Sequence, residues 1–224
     1  MQHTLLALVL ASALSSLAFA QADEAKRINE ATTVLNEIMV AADKGVPQGI
    51  MEKAEAIAVF PSLLKGGIIV GGERGHGILS VRDKKNGTWS APGFLTVTGG
   101  SIGAQLGGQA VDLILVVNNE RGLQQLVSNQ FKIGADASVA AGPVGRDASA
   151  STDIQMRAQI LSYSRTRGLF AGVILSGSTI RQDRDANERF YGTAYRTGQI
   201  VFDHLGGTPD PVAVWTSTLA KYAK

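Results

Sequence analysis

Between Ala56 and Val117 the chain breaks into short apolar runs punctuated by glycine, and this pattern leaves little room for anything but strands. Ala56–Phe60, Gly67–Glu73 and Gly77–Arg82 are each too short for a core helix, and glycine punctuates the stretch they occupy. Asn86-Gly87, inside "DKKNGTW", is the dipeptide that closes a tight hairpin because both residues tolerate positive φ. Phe94–Gln109 and Val111–Val117 continue as strands. Glycine makes up 26 of 224 residues, and each one inside a helix would cost about 1 kcal/mol.

Helical periodicity flanks this block. Ala25, Ile28, Thr32, Leu35, Met39 and Ala42 recur at three- and four-residue steps, which predicts a helix over Ala22–Asp43 that Gly45 and Pro47 end. A short helix follows over Gln48–Ala56. Beyond the strands, Asn119–Val127 reads as a helix and Lys132–Ala141 and Ile154–Thr166 as strands, separated by the polar loop "GPVGRDASASTD". Gly168–Ile180 is a further strand, and Asp185–Tyr191 is a helix closed by Gly192. A last helix has Asp210 as cap, Pro211 in its first turn, and Val212, Trp215, Leu219 and Tyr222 on one face. This order predicts an α+β fold: a curved, largely antiparallel, glycine-rich sheet or partial barrel covered by N- and C-terminal helices.

Within the sheet block, "TGGSIGAQLGGQ" (Thr98–Gln109) admits three readings. Four-residue glycine spacing suits close-packed membrane helices, but Ser, Thr, Gln and Gly fill the uncharged stretch Asn86–Val111, and a span needs about 20 predominantly apolar residues. Gly99–Gly103 also has the G-x-S-x-G spelling of a hydrolase nucleophile turn. Ser101 would be the nucleophile, His204 the base and Asp153 or Asp183 the acid. The glycines after Ser101 are poor material for the helix such a turn requires. Alternation favours a strand in which Gly103 and Gly107 admit another backbone.

The N-terminus reads as a leader. Leu5–Phe19 is uncharged and mostly apolar, and Ala18-Phe19-Ala20 is a small-x-small cleavage pattern, so the expected product is one domain over residues 21–224, exported to the periplasm or beyond. No cysteine is present for disulfides or an N-terminal lipid anchor. A formal charge of +2 gives no basis for nucleic-acid binding, which needs a dense basic surface. His76 and His204 lie too far apart to give metal-ligand spacing, and no phosphate-loop pattern occurs, so neither metal nor cofactor is expected.

One family unites the remaining motifs. "AIAVFPSLLKGGIIVGGERGHGILSVR" (Ala56–Arg82), Trp89-Ser90-Ala91-Pro92, "GSIGAQLGGQAVDLILV", Gly134-Ala135-Asp136, "AAGPVGR", "YSRTRGLFAG", Asn187 and Tyr191-Gly192 follow in the order of the SYLF domain, which this chain resembles over about Val40–Gly192. The resemblance implies a single domain that binds anionic phospholipids, without known catalysis. In the family's eukaryotic members, phosphoinositides are bound and actin is engaged. A basic amphipathic N-terminal helix contributes to membrane contact in the family. The helix here departs from that, with Asp23, Glu24, Glu30, Glu37 and Asp43 against Lys26, Arg27 and Lys44.

Candidate lipid contacts are Arg157, Arg165, Arg167 and Arg181, all within the acid-free stretch Ile154–Gln182, together with Lys84 and Lys85 of the hairpin. A continuous strand through Thr166 puts Arg157 and Arg165 on one face with Tyr163. The expected function is non-catalytic binding of anionic phospholipid at a membrane surface. Two alternatives are a structural envelope protein whose Trp89 and Phe94 form an exposed patch for a protein partner, and a serine esterase built on Ser101.

Overall fold

A computed structural model of the chain describes residues 2–41, 45–66, 70–102, 109–144, 158–166, 169–172 and 177–223. Within them, nine strands form a single sheet: β1 (Ala56–Gly66), β2 (Val70–Val81), β3 (Gly93–Ile102), β4 (Gln109–Val117), β5 (Gln130–Lys132), β6 (Val139–Ala141), β7 (Ile160–Thr166), β8 (Leu169–Gly172) and β9 (Thr179–Gln182). The order is β5-β9-β3-β2-β1-β4-β7-β6, with β8 also paired to β7. All pairings are antiparallel except β6 with β7.

That order forces curvature. The edge strands β5 and β6 are consecutive in sequence, and the six residues between them can span about 23 Å at full extension. Eight strands laid flat would hold the edges about 34 Å apart at ordinary strand spacing. The sheet therefore curls into a half-barrel. Ile133 and Ala137, from the link itself, pack with Phe60, Leu63, Leu95, Leu113 and Leu115 to fill its inside.

Both faces of the central strands are buried. Ile57 and Val59 of β1 face one cluster while Ala56, Ala58 and Phe60 face the other, and β4 divides its residues likewise. This explains why "AIAVF" and "VDLILVV" are nearly continuous apolar runs. The outer face is covered by α1 (Gln2–Val40), α2 (Gln48–Lys53), α4 (Arg184–Tyr191) and α6 (Asp210–Tyr222). The inner core is capped by Leu123 and Leu126 of α3 (Glu120–Leu126) and Val201 of α5 (Thr197–Phe202). Among the described residues, no helix is long and apolar enough to cross a membrane.

Most sequence expectations appear in this frame. Asn119 caps α3 by accepting from the Gly122 amide (2.9 Å), and Gly192 closes α4 in the left-handed region at φ 73°. The Asn86-Gly87 turn joins β2 to β3, with Gly87 at φ 73°. The buried stripe of α1 includes Ile28, Ala31, Val34, Leu35 and Ile38, turned slightly from the expected one; Ala42 and Asp43 lie outside the described residues. Helix α1 continues back through the expected leader as one backbone helix.

Several boundaries differ. Lys132–Ala141 is not one strand but β5 and β6. The chain turns at Gly134 (φ 83°), and the Asp136 carboxylate accepts from the Lys132 amide at 2.6 Å. Gly168–Ile180 is likewise split into β8 and β9, with Gly177 at φ 85° before β9. Phe94–Gln109 is not a single run: β3 ends at Ile102 and β4 starts at Gln109, on the far side of β2 and β1. Strand β7 begins at Ile160, with 154–157 outside the described residues. Asp210 is the first residue of α6 and not its cap, since Pro209 precedes it at the cap position. Helix α5 was not expected at all. Trp89 and Phe94 are both buried in the outer core, so the exposed aromatic patch does not exist.

Gly77 of β2 is required by close approach. A Cβ there would lie 2.4 Å from Phe60 Cδ1 and 2.5 Å from the Val59 carbonyl oxygen. Gly77→Ala should cost about 1–3 kcal/mol through overpacking. Gly49→Ala, in α2 with open space around it, should be neutral or slightly stabilising. Urea titrations of the two variants check this, and equal midpoints would contradict the packing account.

Candidate functional site

Register assembles an exposed cationic face from distant segments. Leu64 of β1 pairs with Arg74 of β2, Arg74 with Thr98 of β3, Thr98 with Thr179 of β9, and Thr179 with Lys132 of β5. The adjacent row runs His76, Thr96, Arg181 and Gln130. Directly paired residues share a face, so these two rows continue the surface that carries Ile78 and Phe94 under the helices. Helical cover has ended here: Arg74, His76, Lys132, Arg181 and Gln130 are exposed, and Leu64 retains 64% of its accessible surface.

Neither row contains an acid. Arg74 and Lys132 stand three strands apart, about 14 Å, with Arg181 about 7 Å further along the strand direction. Thr96, Thr98 and Thr179 lie between them, half-buried. Among the described residues neither Arg74 nor Lys132 enters an ion pair, and Arg181 Nη2 donates only to Gln130 Oε1 at 3.3 Å. Two neighbouring carboxylates are already engaged. Asp183 takes Arg27 and His76, each at 3.3 Å, and caps α4 at the Ala186 amide. Asp136 holds the Lys132 amide.

The other candidate residues do not join this face. Arg157 and Arg167 lie outside the described residues. Arg165 does share the Tyr163 face, but it is only 23% exposed and bound on both sides. Its Nε donates to Asp112 Oδ2 at 2.7 Å, and its Nη1 meets Glu37 of α1. The other Asp112 oxygen accepts from the Ser62 amide at 2.9 Å, where β1 bulges and Ser62 sits at φ 52°. Arg165 thus fastens α1 to the bulge. Lys84 and Lys85 lie at the opposite end of the sheet, in the β2–β3 turn. Lys84 bridges Glu120 (3.1 Å) and Glu55 (3.3 Å), and those bonds, Glu120 first, hold its ammonium above the ordinary lysine range.

Sequence reasoning found Arg181 but missed Arg74, His76 and Lys132. Their positions in the chain give no hint of proximity; only the β2–β3–β9–β5 pairing unites them.

The hydrolase geometry is not formed by Ser101, His204 and Asp183. Ser101 is paired with Gly71 inside β3 rather than held at a strand-to-helix turn. It lies eight residues from the start of β3, about 26 Å along the strand from the end where His204 sits. Asp183 faces His76, not His204. Asp153, Gly103 and Gly107 lie outside the described residues.

A curled sheet with buried faces, helical cover on one side and a cationic patch beyond it defines a domain of the α+β class. A family model described as "Ysc84: Las17-binding protein actin regulator" matches residues 98–222. Protein YSC84 of Saccharomyces cerevisiae is 34% identical over 154 residues, 67% of this chain and 32% of that protein. LAS seventeen-binding protein 3 of the same species is 34% identical over 154 residues, 67% of this chain and 33% of its own length. The human SH3 domain-containing YSC84-like protein 1 is 32% identical over 170 residues, 75% of this chain and 48% of that protein. This chain belongs to the Ysc84 family, the family of the SYLF domain. It spans about a third of the yeast relatives and about half of the human one.

Breaking the Arg165 anchor separates support from binding. Asp112→Ala leaves a half-buried guanidinium and the Ser62 amide without their acceptor, and should cost about 1–3 kcal/mol in urea denaturation. A double-mutant cycle with Arg165→Ala should show coupling. Additive losses would mean that the pair does not hold α1.

Proposed function

We propose that this chain binds the headgroups of anionic phospholipids at a membrane surface, without catalysis, through the face of Arg74, Lys132 and Arg181. One observation carries the reading: three cations from three strands stand together on an uncovered sheet face with no carboxylate in either row. Hydroxyls of Thr96, Thr98 and Thr179 between them suit phosphate oxygens. Each basic residue near an anionic surface contributes about 1 kcal/mol, so the three supply attraction of a size that salt can erase. The resemblance of the motifs to lipid-binding SYLF domains points the same way. In this reading the leader is removed after Ala20 and the domain works peripherally on a membrane facing the periplasm or the exterior.

Sedimentation with vesicles tests the proposal. Binding should rise with phosphatidylglycerol or cardiolipin content and fall with salt. Arg74→Ala with Arg181→Ala should weaken partitioning by about thirtyfold. Lys84→Ala, whose ammonium is already paired, should change it little. Equal sedimentation with neutral and anionic vesicles would end the proposal.

A protein partner is the second reading, favoured by the family model's description as a Las17-binding protein and actin regulator and by the name of the yeast LAS seventeen-binding protein 3. Crosslinking in the native envelope before and after lipid extraction separates the two. Retrieval of a protein that survives extraction supports the partner reading.

A further inference from the structure

At the end of the sheet away from the cationic face, a cleft of about 520 Å³ opens between the β2–β3 turn, α3 and the end of α5. Its size falls within the range of small-molecule sites, and it occupies the mouth of the half-barrel, where such sites recur. The floor is apolar: Val81, Leu123 and Val201 are buried members of the inner core. Phe202, the last residue of α5, forms a wall yet keeps 39% of its surface in water. An aromatic ring left half-open beside an apolar floor is unfinished packing.

The rim carries the opposite chemistry. Lys84 on the rim pairs with Glu120 there and with Glu55 beside it, one ammonium shared by two carboxylates. Lys85 is exposed and has no ion pair among the described residues, while its amide occupies one Asp83 oxygen at 2.7 Å. His204 lines the same mouth, exposed, at φ 55°, in the left-handed region that histidine enters more often than most residues with a side chain.

We infer that this cleft holds one molecule of an anionic amphiphile, with a carboxylate or phosphate head between Lys85 and His204 and an apolar tail against Phe202, Leu123 and Val201. The head is recognised by charge and the tail by the floor, so neither alone suffices. The inference is independent of the membrane-surface reading, because no residue of the Arg74 and Arg181 rows contributes to the cleft.

Fluorescence of 1-anilinonaphthalene-8-sulfonate, itself an anionic amphiphile, tests this with the full chain. Saturable binding should be displaced by decanoate or a decanoyl lysophosphatidate below their micelle concentrations; which of these competes better identifies the head. Inorganic phosphate and the uncharged decanoyl monoglyceride should not displace it. Lys85→Glu lies in an exposed turn and leaves folding intact, and it should weaken the probe about fivefold or more. Phe202→Ala should weaken it similarly, and Arg74→Ala should leave it unchanged. Displacement by phosphate alone, equal displacement by the monoglyceride, or affinity within about twofold in both cleft variants would overturn the inference. Loss of vesicle sedimentation in Arg74→Ala with cleft binding retained would separate the two sites.

Discussion

The short link between β5 and β6 governs this molecule. Two edge strands that are neighbours in the chain must be neighbours in space, so the strands between them have to bend round. Bending creates an inside, which Phe60, Leu63, Leu95 and Leu113 fill, and an outside, which then needs its own cover. The helices supply that cover over β1, β2, β4 and β7 but stop short of β9 and β5. The polar rows at that end, with Arg74, Arg181 and Lys132, are therefore a product of where cover runs out.

Attachment of α1 follows from the same economy of acids. Two of the acids that make the helix net acidic meet basic partners on other elements. Glu24, 1% exposed, receives Arg189 of α4 at 2.7 and 3.0 Å, and Glu37 meets Arg165 of β7. Arg27 lies over the Phe94 ring at 5.2 Å and reaches Asp183. A helix used this way presents no basic amphipathic face, and under the proposed function cationic contact falls to the sheet.

The sequence discloses element type where local chemistry decides it. The apolar run from Ala56, the Asn86-Gly87 turn and the Gly192 closure are local signals that reappear in the fold, whereas the separate runs expected at Gly67–Glu73 and Gly77–Arg82 join in one strand, β2, with 67–69 outside the described residues. It hides what depends on pairing. Gly134 sits in a run that otherwise reads as strand, and only its positive φ and the Asp136 contact reveal a turn. Arg165 and Arg181 look equivalent in the chain, yet one meets Asp112 and Glu37 while the other meets only Gln130. Trp89 and Phe94 stand in an uncharged stretch that suggests exposure, yet both join the outer core, Phe94 against Phe190 of α4 and under Arg27 of α1. Arg74, Lys132 and Arg181 could not be grouped without the strand order.

The continuous course of α1 through residue 20 bears on what a cut there would leave behind. Severing a helix in its middle normally creates a frayed end with four unanswered amides. Here the new terminus would begin Gln21-Ala22-Asp23-Glu24, placing two carboxylates in the first turn, where the helix dipole favours negative charge. Gln21 Nε2 already donates to the Phe190 carbonyl at 3.3 Å, and Glu24 is pinned by Arg189. The shortened helix would start on an anchored, electrostatically suited turn, so that a cut after residue 20 would leave the rest of the chain with its first contact already made.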